Sequence, residues 1–599
     1  MSKTNTSIKA ERCYHGVAVA PGIVEGTVFL HLPATEKVPF RKIKEEEFSA
    51  EIKRFEEAIL ATQQELLEVQ RRIASLIGES NANLFDAHLL VLEDPMLFQE
   101  VLESLERDRC NIEYIFDTVV KRSCKRLSKA EHAYLSERTL DIEDVSQRIL
   151  HHLLGKPRKR LLEDSHNHIL IANTLTASDA VMLYRDHVVG FATEAGSKTS
   201  HTAIIARALG IPVIVGLHQI VSELEDGDDV LLDGYGGMLI INPTVDTVRR
   251  YHEIKLRQHH LETDLKKIRT TLPVTRDGRH ITLSANIELP KEIESVIASG
   301  AEGVGLYRTE FLYLNRSTPP NEEEQYKVFR QIAEKSKPHN VTIRTFDIGA
   351  DKPVKFIAIP AEANPTLGCR GIRFALQHRA LFKTQLRALL RAAVVGNLKI
   401  MYPMIARIEG LREANSVLEE AKQELRDEGT PFFEGLEVGI MIEVPSAVMV
   451  VDLLAQEVKF FSIGTNDLIQ YMIAVDRGNE IVAHLYNPAD TAIVRTLKKI
   501  IDTAHQAGIW VGVCGELAGD ILFTPLLVGL GIDELSASPI LVPRVKKAVQ
   551  NLDVSTCQKL VLKMLHGENA QENYQCCRAL AENCYGMLIT DDIPFAFDF

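Results

Sequence analysis

Eight short apolar runs, each followed by a segment with helical spacing, recur along residues 280–536 and restrict the fold of this region most strongly. Strands that alternate with helices favour a parallel sheet covered by those helices. Eight such units in roughly 300 residues predict a closed (β/α)8 barrel, the TIM barrel. The strand-like runs are His280–Ile287, Gly303–Tyr307, Val341–Phe346, Leu398–Met404, Val438–Ile442, Lys459–Ile463, Trp510–Val513 and Asp533–Ser536.

The first half of the chain predicts a different, multidomain α/β arrangement. Segments with strand patterning, residues 14–32 and 168–243, lie on either side of a stretch in which apolar residues recur at helical spacing. This order predicts a helical bundle inserted into an α/β domain. We predict an α/β domain from residues 1–40 and 155–244, an inserted helical subdomain at 41–154, a linker helix at 245–271 and the barrel at 272–599.

The composition excludes several classes of binding partner for this protein. The formal charge of −14 disfavours binding to a nucleic-acid backbone. No run reaches the roughly 20 apolar residues that a membrane-spanning helix needs, and the first residues lack the apolar core of a signal peptide. The nine cysteines are scattered without the paired spacing of a zinc or redox site. We therefore expect a cytoplasmic protein with reduced thiols that neither enters a membrane nor binds nucleic acid.

Charged and amide side chains follow several runs of the predicted barrel where the strands end. The carboxyl ends of TIM-barrel strands face one mouth, where the chemistry takes place. Arginine binds phosphate and carboxylate oxygens, and Mg²⁺ takes one or two protein carboxylates together with substrate oxygens. Each residue alone fits an ordinary surface ion pair, but together they predict a site for a polyanion and a hard cation. They are Arg308, Arg344, Arg370, Glu443, Asp467 and Arg477, with Lys352 and Asn466 nearby; Glu310, Asp347 and Glu516 follow the same runs.

A single histidine, His201, lies in the hydroxyl-rich segment 196–207, where a turn is predicted to enter an amphipathic helix. Free N–H groups and the positive end of a helix attract anions. A neutral imidazole can act as a nucleophile toward phosphorus near neutral pH. A histidine at a helix start also fits a capping or packing role, so the local pattern alone leaves both interpretations open.

Blocks of sequence between about Gly16 and Ser538 resemble the motifs of a known enzyme family and occur in the same order. The blocks T-S-H-T-A-I-I-A-R at 199–207, N-P-T-L-G-C-R-G-I-R at 364–373, F-S-I-G-T-N-D-L-I-Q-Y at 461–471 and C-G-E-L-A-G at 514–519 are examples. They resemble the phosphoenolpyruvate-utilising enzymes, and in particular enzyme I of the bacterial phosphoenolpyruvate-dependent sugar phosphotransferase system. The family has a swivelling phosphohistidine domain with an inserted helical bundle, followed by a TIM barrel.

The resemblance implies a role for each candidate site residue. His201 would take the phosphoryl group of phosphoenolpyruvate and pass it to a histidine of the phosphocarrier protein HPr, and the chain would form a homodimer. Cys514 would protonate the enolate, Thr176 would orient His201, and Glu443 and Asp467 would bind Mg²⁺. The substrate-binding residues implied are Arg308, Arg344, Asn466, Asp467 and Arg477, with Arg370 and Lys352 at the phosphate.

Two alternatives and two departures accompany the resemblance. A pyruvate phosphate dikinase or phosphoenolpyruvate synthase shares the histidine and the barrel, but no glycine-rich nucleotide loop precedes the histidine here. A non-catalytic regulator would have lost a catalytic residue, and none is lost.

Residues 84–94 lie in the segment that resembles the docking platform for the phosphocarrier. Lys198 replaces an arginine found in many relatives, and neither it nor the segment 576–599 is assigned a role.

Overall fold

The computed structural model describes two compact units, Met1–Arg257 and Gln258–Phe599. The described residues are 10–31, 38–77, 92, 95–127, 133–155, 167–175, 188–195, 210–314, 316–350, 352, 354–357, 359–360, 362–477, 479 and 481–589. Among the helices of these ranges, none is long and apolar enough to cross a membrane.

The first unit contains an eight-stranded mixed sheet. Its strands are β1 Arg12–His15, β2 Val17–Ala20, β3 Ile23–His31, β4 His168–Ala172, β5 Val188–Thr193, β6 Val213–Val215, β7 Asp229–Asp233 and β8 Met238–Ile241. Their order in the sheet is β1-β8-β7-β3-β4-β5-β6-β2. The three pairs between β3 and β6 are parallel, and the pairs toward both edges are antiparallel. Most residues in the central strands are apolar and buried, as expected where both faces of a sheet are covered.

Helices occupy the connection between β3 and β4, which pair directly with each other in the sheet. Phe55 and Phe116 of these helices belong to the same buried apolar cluster as Phe191 of β5. The structure thus has the predicted order of strands, helices and strands, while the domain boundaries at residues 40, 154 and 244 stay predictions. The helices are Phe48–Ile77, Pro95–Asp108, Ile112–Leu127 and Ala133–Leu154.

A helix at Val245–Lys267 follows the sheet, and the division between the two compact units falls within it. In its first half, Tyr251 and Ile254 pack in a small apolar cluster with residues of β3, β7 and β8. In its second half, Leu261 belongs to the core of the second unit. Each half is therefore anchored in a different unit, and its role as a linker stays a prediction.

The second unit is a closed barrel of eight parallel strands, in which the last strand, Glu534–Ala537, pairs with the first, Thr282–Ile287, to complete the circle. This result confirms the predicted (β/α)8 fold. The strands are β9 Thr282–Ile287, β10 Gly303–Arg308, β11 Asn340–Arg344, β12 Leu398–Tyr402, β13 Glu437–Ile442, β14 Phe460–Ile463, β15 Trp510–Val513 and β16 Glu534–Ala537. The helices after β9 are Ile293–Ser299, Glu322–Ser336, Ile372–Gln377, Arg379–Ala392, Ile408–Asp427, Pro445–Met449, Val451–Ala455, Thr465–Ile473, Thr491–Gln506, Thr524–Leu530, Val542–Gln550, Val554–Met564 and Ala570–Tyr585.

Two barrel strands end earlier than the apolar runs predict. β12 ends at Tyr402, and Met404 has a φ of 56°, a left-handed conformation that cannot continue a strand. β11 ends at Arg344, although the run continues to the fully buried Phe346. Burial continues past the strand end in both places, so an apolar run overestimates the strand length there.

The last described helix, Ala570–Tyr585, covers part of the barrel. Cys577, Ala581 and Tyr585 belong to the barrel's apolar core. The hydroxyl of Tyr585 donates a hydrogen bond of 2.7 Å to the carbonyl oxygen of Ile521. Residues 576–589, for which the sequence indicates no role, therefore complete the outer layer of the barrel.

Candidate active site

A cavity of about 360 Å³ opens at the carboxyl ends of the barrel strands. Its wall contains all nine barrel residues for which the sequence analysis predicted a role in the site. They are Arg308, Arg344, Lys352, Arg370, Glu443, Asn466, Asp467, Arg477 and Cys514. The structure therefore brings these nine residues together, and their individual roles stay predictions.

Arg344 ends β11 and is almost completely buried in the cavity wall. Its Nη2 donates to Oε1 of Glu310 at 3.1 Å, and Glu310 is itself buried. Its Nε is buried and has no hydrogen-bond partner among the described residues. An unsatisfied buried donor is costly, so this guanidinium group is suited to receive an anion.

Asp347 lies in the loop after β11, and its side chain is fully buried among cations. Arg370 donates to its two oxygens at 2.7 and 3.3 Å. Arg344 and Lys352 each place a nitrogen 3.6 Å from Oδ2 of Asp347. Burial alone would raise the pKa of Asp347, but Arg344 and Arg370 lower it well below its usual range. This carboxylate is therefore ionised at neutral pH.

Two arginines at the rim of the cavity pair with carboxylates that are about half exposed. Arg308 forms an ion pair with Glu288. Arg477 places Nη1 2.9 Å from Oε1 of Glu516, which also accepts a hydrogen bond of 3.0 Å from Nδ2 of Asn466. Exposed ion pairs of this kind contribute little to stability. The anionic groups of a ligand can therefore replace Glu288 and Glu516 at low cost.

Glu443 follows β13 and is 1% exposed. The backbone N–H of Met404 donates to its Oε1 at 2.6 Å. Burial, and then the negative charges of Asp467 and Asp347, raise the pKa of Glu443 to about 8. Gly464 lies against it, since a Cβ there would be 2.9 Å from Oε2 of Glu443. The backbone thus encloses a carboxylate that is held close to other carboxylates, and a bound cation would relieve their repulsion.

The chemistry of these donors fits Mg²⁺. Glu443 and Asp467 provide two carboxylates on one cavity wall, and Mg²⁺ usually binds one or two carboxylates and completes its octahedron with water and substrate oxygens. Among the described residues, no group of three or more histidine, cysteine, aspartate or glutamate side chains could hold a metal ion.

Cys514 directly follows β15, and its thiol is buried at the base of the cavity. Its Sγ lies 3.7 Å from the carbonyl oxygen of Ile463. Burial raises the pKa of Cys514 to about 11, and this shift is opposed by a hydrogen bond with Ser462 and by the charge of Arg344. The side chain is therefore a protonated thiol at neutral pH, able to donate a proton to a basic atom in the cavity.

Some predictions lie outside the described residues, and some features of the site were not predicted. His201, Thr176, Lys198 and most of the segment 84–94 are outside the described ranges. The sequence analysis placed Glu310, Asp347 and Glu516 at this mouth, where they line the cavity, but it did not predict that they pair with the arginines. The signal for Glu310 was its position two residues after Arg308, which ends β10.

Comparisons with known proteins cover both units. Residues 15–138 match the family described as PEP-utilising enzyme, N-terminal, residues 164–237 match its mobile domain, and residues 262–554 match its PEP-binding domain. A phosphoenolpyruvate-protein phosphotransferase of Bacillus sp. (strain S) is 43% identical over 531 residues, which are 88% of this chain and 91% of the relative.

Further similarities extend to another genus and to a solved structure. The phosphoenolpyruvate-protein phosphotransferase of Listeria monocytogenes is 41% identical over 559 residues, which are 93% of this chain and 97% of the relative. The solution structure of an enzyme I protein, nEIt, is 34% identical and covers 41% of this chain and 99% of that chain, with a TM-score of 0.35.

Proposed function

The chain belongs to the phosphoenolpyruvate-protein phosphotransferase family, and we propose that His201 is the residue through which it transfers the phosphoryl group. In the first half-reaction, His201 takes the phosphoryl group of phosphoenolpyruvate and pyruvate is released. In the second, phospho-His201 passes the group to a histidine of the phosphocarrier protein HPr, as the first step of sugar uptake by the phosphotransferase system. The enzyme acts in the cytoplasm as a homodimer.

One observation supports the proposal that the barrel binds phosphoenolpyruvate. The nine residues chosen from the sequence, which come from the ends of five different strands and the loops after them, line a single cavity. That cavity contains cations for a phosphate and a carboxylate, two carboxylates for a hard cation and a protonated thiol. The reaction of phosphoenolpyruvate needs these three kinds of group. The substrate is an anion that cations and a metal ion can bind, and its cleavage leaves an enolate that must take a proton.

The arginines bind the substrate and stabilise the charge that moves during phosphoryl transfer. Arg344, Lys352 and Arg370 take the phosphate oxygens, while Arg308 and Arg477 hold the remainder of the substrate with Asn466. An N–P bond forms at the imidazole of His201, and the bond between phosphorus and the enol oxygen breaks. Such transfers depend mainly on positioning and on electrostatic stabilisation, which this set of fixed guanidinium groups provides.

Glu443 and Asp467 would hold Mg²⁺ with the substrate. When bound, this ion neutralises charge on the phosphate oxygens and fixes their orientation. The two carboxylates keep their places without it, because Glu443 accepts a backbone hydrogen bond from Met404 and Asp467 lies 3.4 Å from Arg370.

Cys514 completes the first half-reaction. Its S–H bond breaks and the proton goes to the methylene carbon of the enolate, which becomes the methyl group of pyruvate. The resulting thiolate regains a proton from solvent. Arg344 and the hydroxyl of Ser462 both favour the thiolate form of Cys514, so they limit the cost of this step.

His201 is the proposed acceptor of the phosphoryl group, and other residues of the first unit assist it. Thr176 is proposed to bond one ring nitrogen of His201, which would fix the tautomer and present the other nitrogen to phosphorus. The segment 84–94 belongs to the proposed docking platform for HPr. These assignments rest on the sequence, since the three lie in parts of the chain that are largely outside the described residues.

Labelled phosphoenolpyruvate tests the proposed function directly. Incubation of the full chain with phosphoenolpyruvate and Mg²⁺ should give label that is acid-labile and base-stable, and purified HPr should then remove it. Labelling by ATP in place of phosphoenolpyruvate would indicate a dikinase. No label from either donor would support a non-catalytic regulator. The proposal fails if label enters the protein but remains after HPr is added in excess.

Replacement of a metal ligand should raise the Mg²⁺ requirement. We expect Glu443→Gln to need at least about tenfold more Mg²⁺ for half-maximal phosphorylation, because the remaining carboxylate must bind the ion alone. The measurement is the initial rate of labelling against Mg²⁺ concentration. Glu437→Gln is the matched control, because Glu437 begins the same strand but pairs with Lys399 away from the cavity. An unchanged Mg²⁺ requirement in Glu443→Gln would remove Glu443 from the proposed metal site.

A further inference from the structure

The buried carboxylate of Asp347 has no part in the reaction as proposed above, yet three of the cavity's cations converge on it. Arg370 donates to both of its oxygens, the shorter hydrogen bond being 2.7 Å. Nitrogen atoms of Arg344 and Lys352 lie 3.6 Å from its Oδ2. The three side chains come from β11 and from two positions in the long segment that follows it, so Asp347 is their common contact.

Asp347 is itself fixed by a second carboxylate. Oε1 of Glu310 accepts a hydrogen bond of 2.7 Å from the backbone N–H of Asp347 and one of 3.1 Å from Nη2 of Arg344. On the other side, Gly371 has a φ of 58°, and a Cβ at this position would lie 3.0 Å from Oδ1 of Asp347. The carboxylate is therefore held through its backbone, through its side chain and by the close approach of the loop that carries Arg370.

Without a central anion this arrangement would be unstable. Like charges a few ångströms apart repel strongly in a buried site, where water does not screen them. Arg344 and Arg370 are both at least 94% buried, so solvent screens their charges only weakly. A permanent negative charge between them offsets the repulsion before the substrate arrives.

We propose that Asp347 is a positioning residue for phosphoryl transfer: its carboxylate holds Arg344, Lys352 and Arg370 at the spacing that the phosphate requires, and Glu310 fixes Asp347. The inference rests on the proposed function, because it assigns the three cations to the phosphate. Arg370 also extends the arrangement to the proposed metal site, since its Nη2 lies 3.4 Å from Oδ2 of Asp467.

The variant Asp347→Asn separates positioning from simple electrostatics. Removal of a negative charge from the cavity would, by charge alone, strengthen the binding of the phosphoenolpyruvate anion. Loss of positioning has the opposite result, because the three cations separate. We expect the single-turnover rate of phosphorylation to fall about 10- to 100-fold, since misplacement by about 1 Å can cost 10²-fold, with no gain in affinity for phosphoenolpyruvate.

The measurements are rapid-quench labelling for the rate and calorimetric titration with phosphoenolpyruvate for the affinity, both on the full chain. Glu288→Gln is the charge-matched control, because it removes one carboxylate from the same cavity wall without touching the three cations. We expect that variant to bind phosphoenolpyruvate at least as tightly as the wild type. Asp347→Asn with tighter binding and an unchanged rate would overturn the inference.

Circular dichroism would show whether Asp347→Asn folds. If it does not fold, a second variant tests the positioning role. Glu310→Gln leaves Asp347 charged and keeps an acceptor for its N–H, but it removes the ion pair with Arg344. We expect a smaller fall in the same rate, and an unchanged rate would also contradict the inference. The wild-type protein distinguishes the two hypotheses: if it does not label, the proposed function fails. If it labels and the variants label at the same rate, only the positioning role fails.

Discussion

A His201→Ala variant is expected to accumulate no acid-labile phosphate from phosphoenolpyruvate and to deliver none to HPr. The imidazole is the proposed nucleophile and also the carrier of the phosphoryl group, so its loss stops both half-reactions. Loss of a group that forms the covalent intermediate has larger effects than loss of a group that only assists. Quenched-flow labelling with phosphoenolpyruvate, followed by separation at alkaline pH, measures the effect.

Binding of phosphoenolpyruvate to this variant should stay close to that of the wild type. The residues proposed to hold the substrate all belong to the barrel, between Arg308 and Cys514. Calorimetric titration of the full-length variant tests this expectation. His218→Ala is a suitable control, because His218 is an exposed histidine of the same unit. Stoichiometric acid-labile label on His201→Ala would show that another residue is the nucleophile.

The barrel could be predicted because its strands carry their own signal. Parallel strands are buried on both faces, so each reads as a short apolar run, and the predicted Trp510–Val513 coincides with β15. The exact ends could not be read in the same way. Met404 is apolar and buried, but its positive φ ends the strand-like path, and no feature of the local pattern reveals that conformation.

The position of the catalytic side chains was also predictable in part. Parallel strands bring the residues that follow them to one mouth, which is why Arg308 and Cys514 line the same cavity although they are far apart in sequence. Their partners depend on the closed barrel. Glu288 reaches Arg308 across neighbouring strands, and the raised pKa of Glu443 results from burial and from carboxylates that follow other strands. Neither the pairing nor the burial follows from local sequence.

The second large effect is expected for Cys514→Ala, which should slow the formation of pyruvate about 10²- to 10⁴-fold, the usual contribution of a positioned acid. Substrate affinity should change much less, because the thiol acts on the enolate and not on bound phosphoenolpyruvate. A raised pKa means that the thiol carries its proton below about pH 11 and loses it only as the pH rises through that value. The donor form is therefore the dominant one at neutral pH.

The alternative role for Cys514 is packing alone. Two further variants distinguish a thiol that donates a proton from a side chain that only packs. Cys514→Ser restores a group of similar size that is a much weaker acid, so it should remain slow if the thiol donates the proton and recover if packing matters. Cys557→Ala removes another fully buried barrel thiol away from the cavity, and it should form pyruvate at the wild-type rate. Rapid-quench measurement of pyruvate, together with phosphoenolpyruvate titrations, separates rate from affinity. A wild-type rate in Cys514→Ser, whatever the rate of Cys514→Ala, would exclude the thiol as the acid, and the enolate would then have to take its proton from solvent.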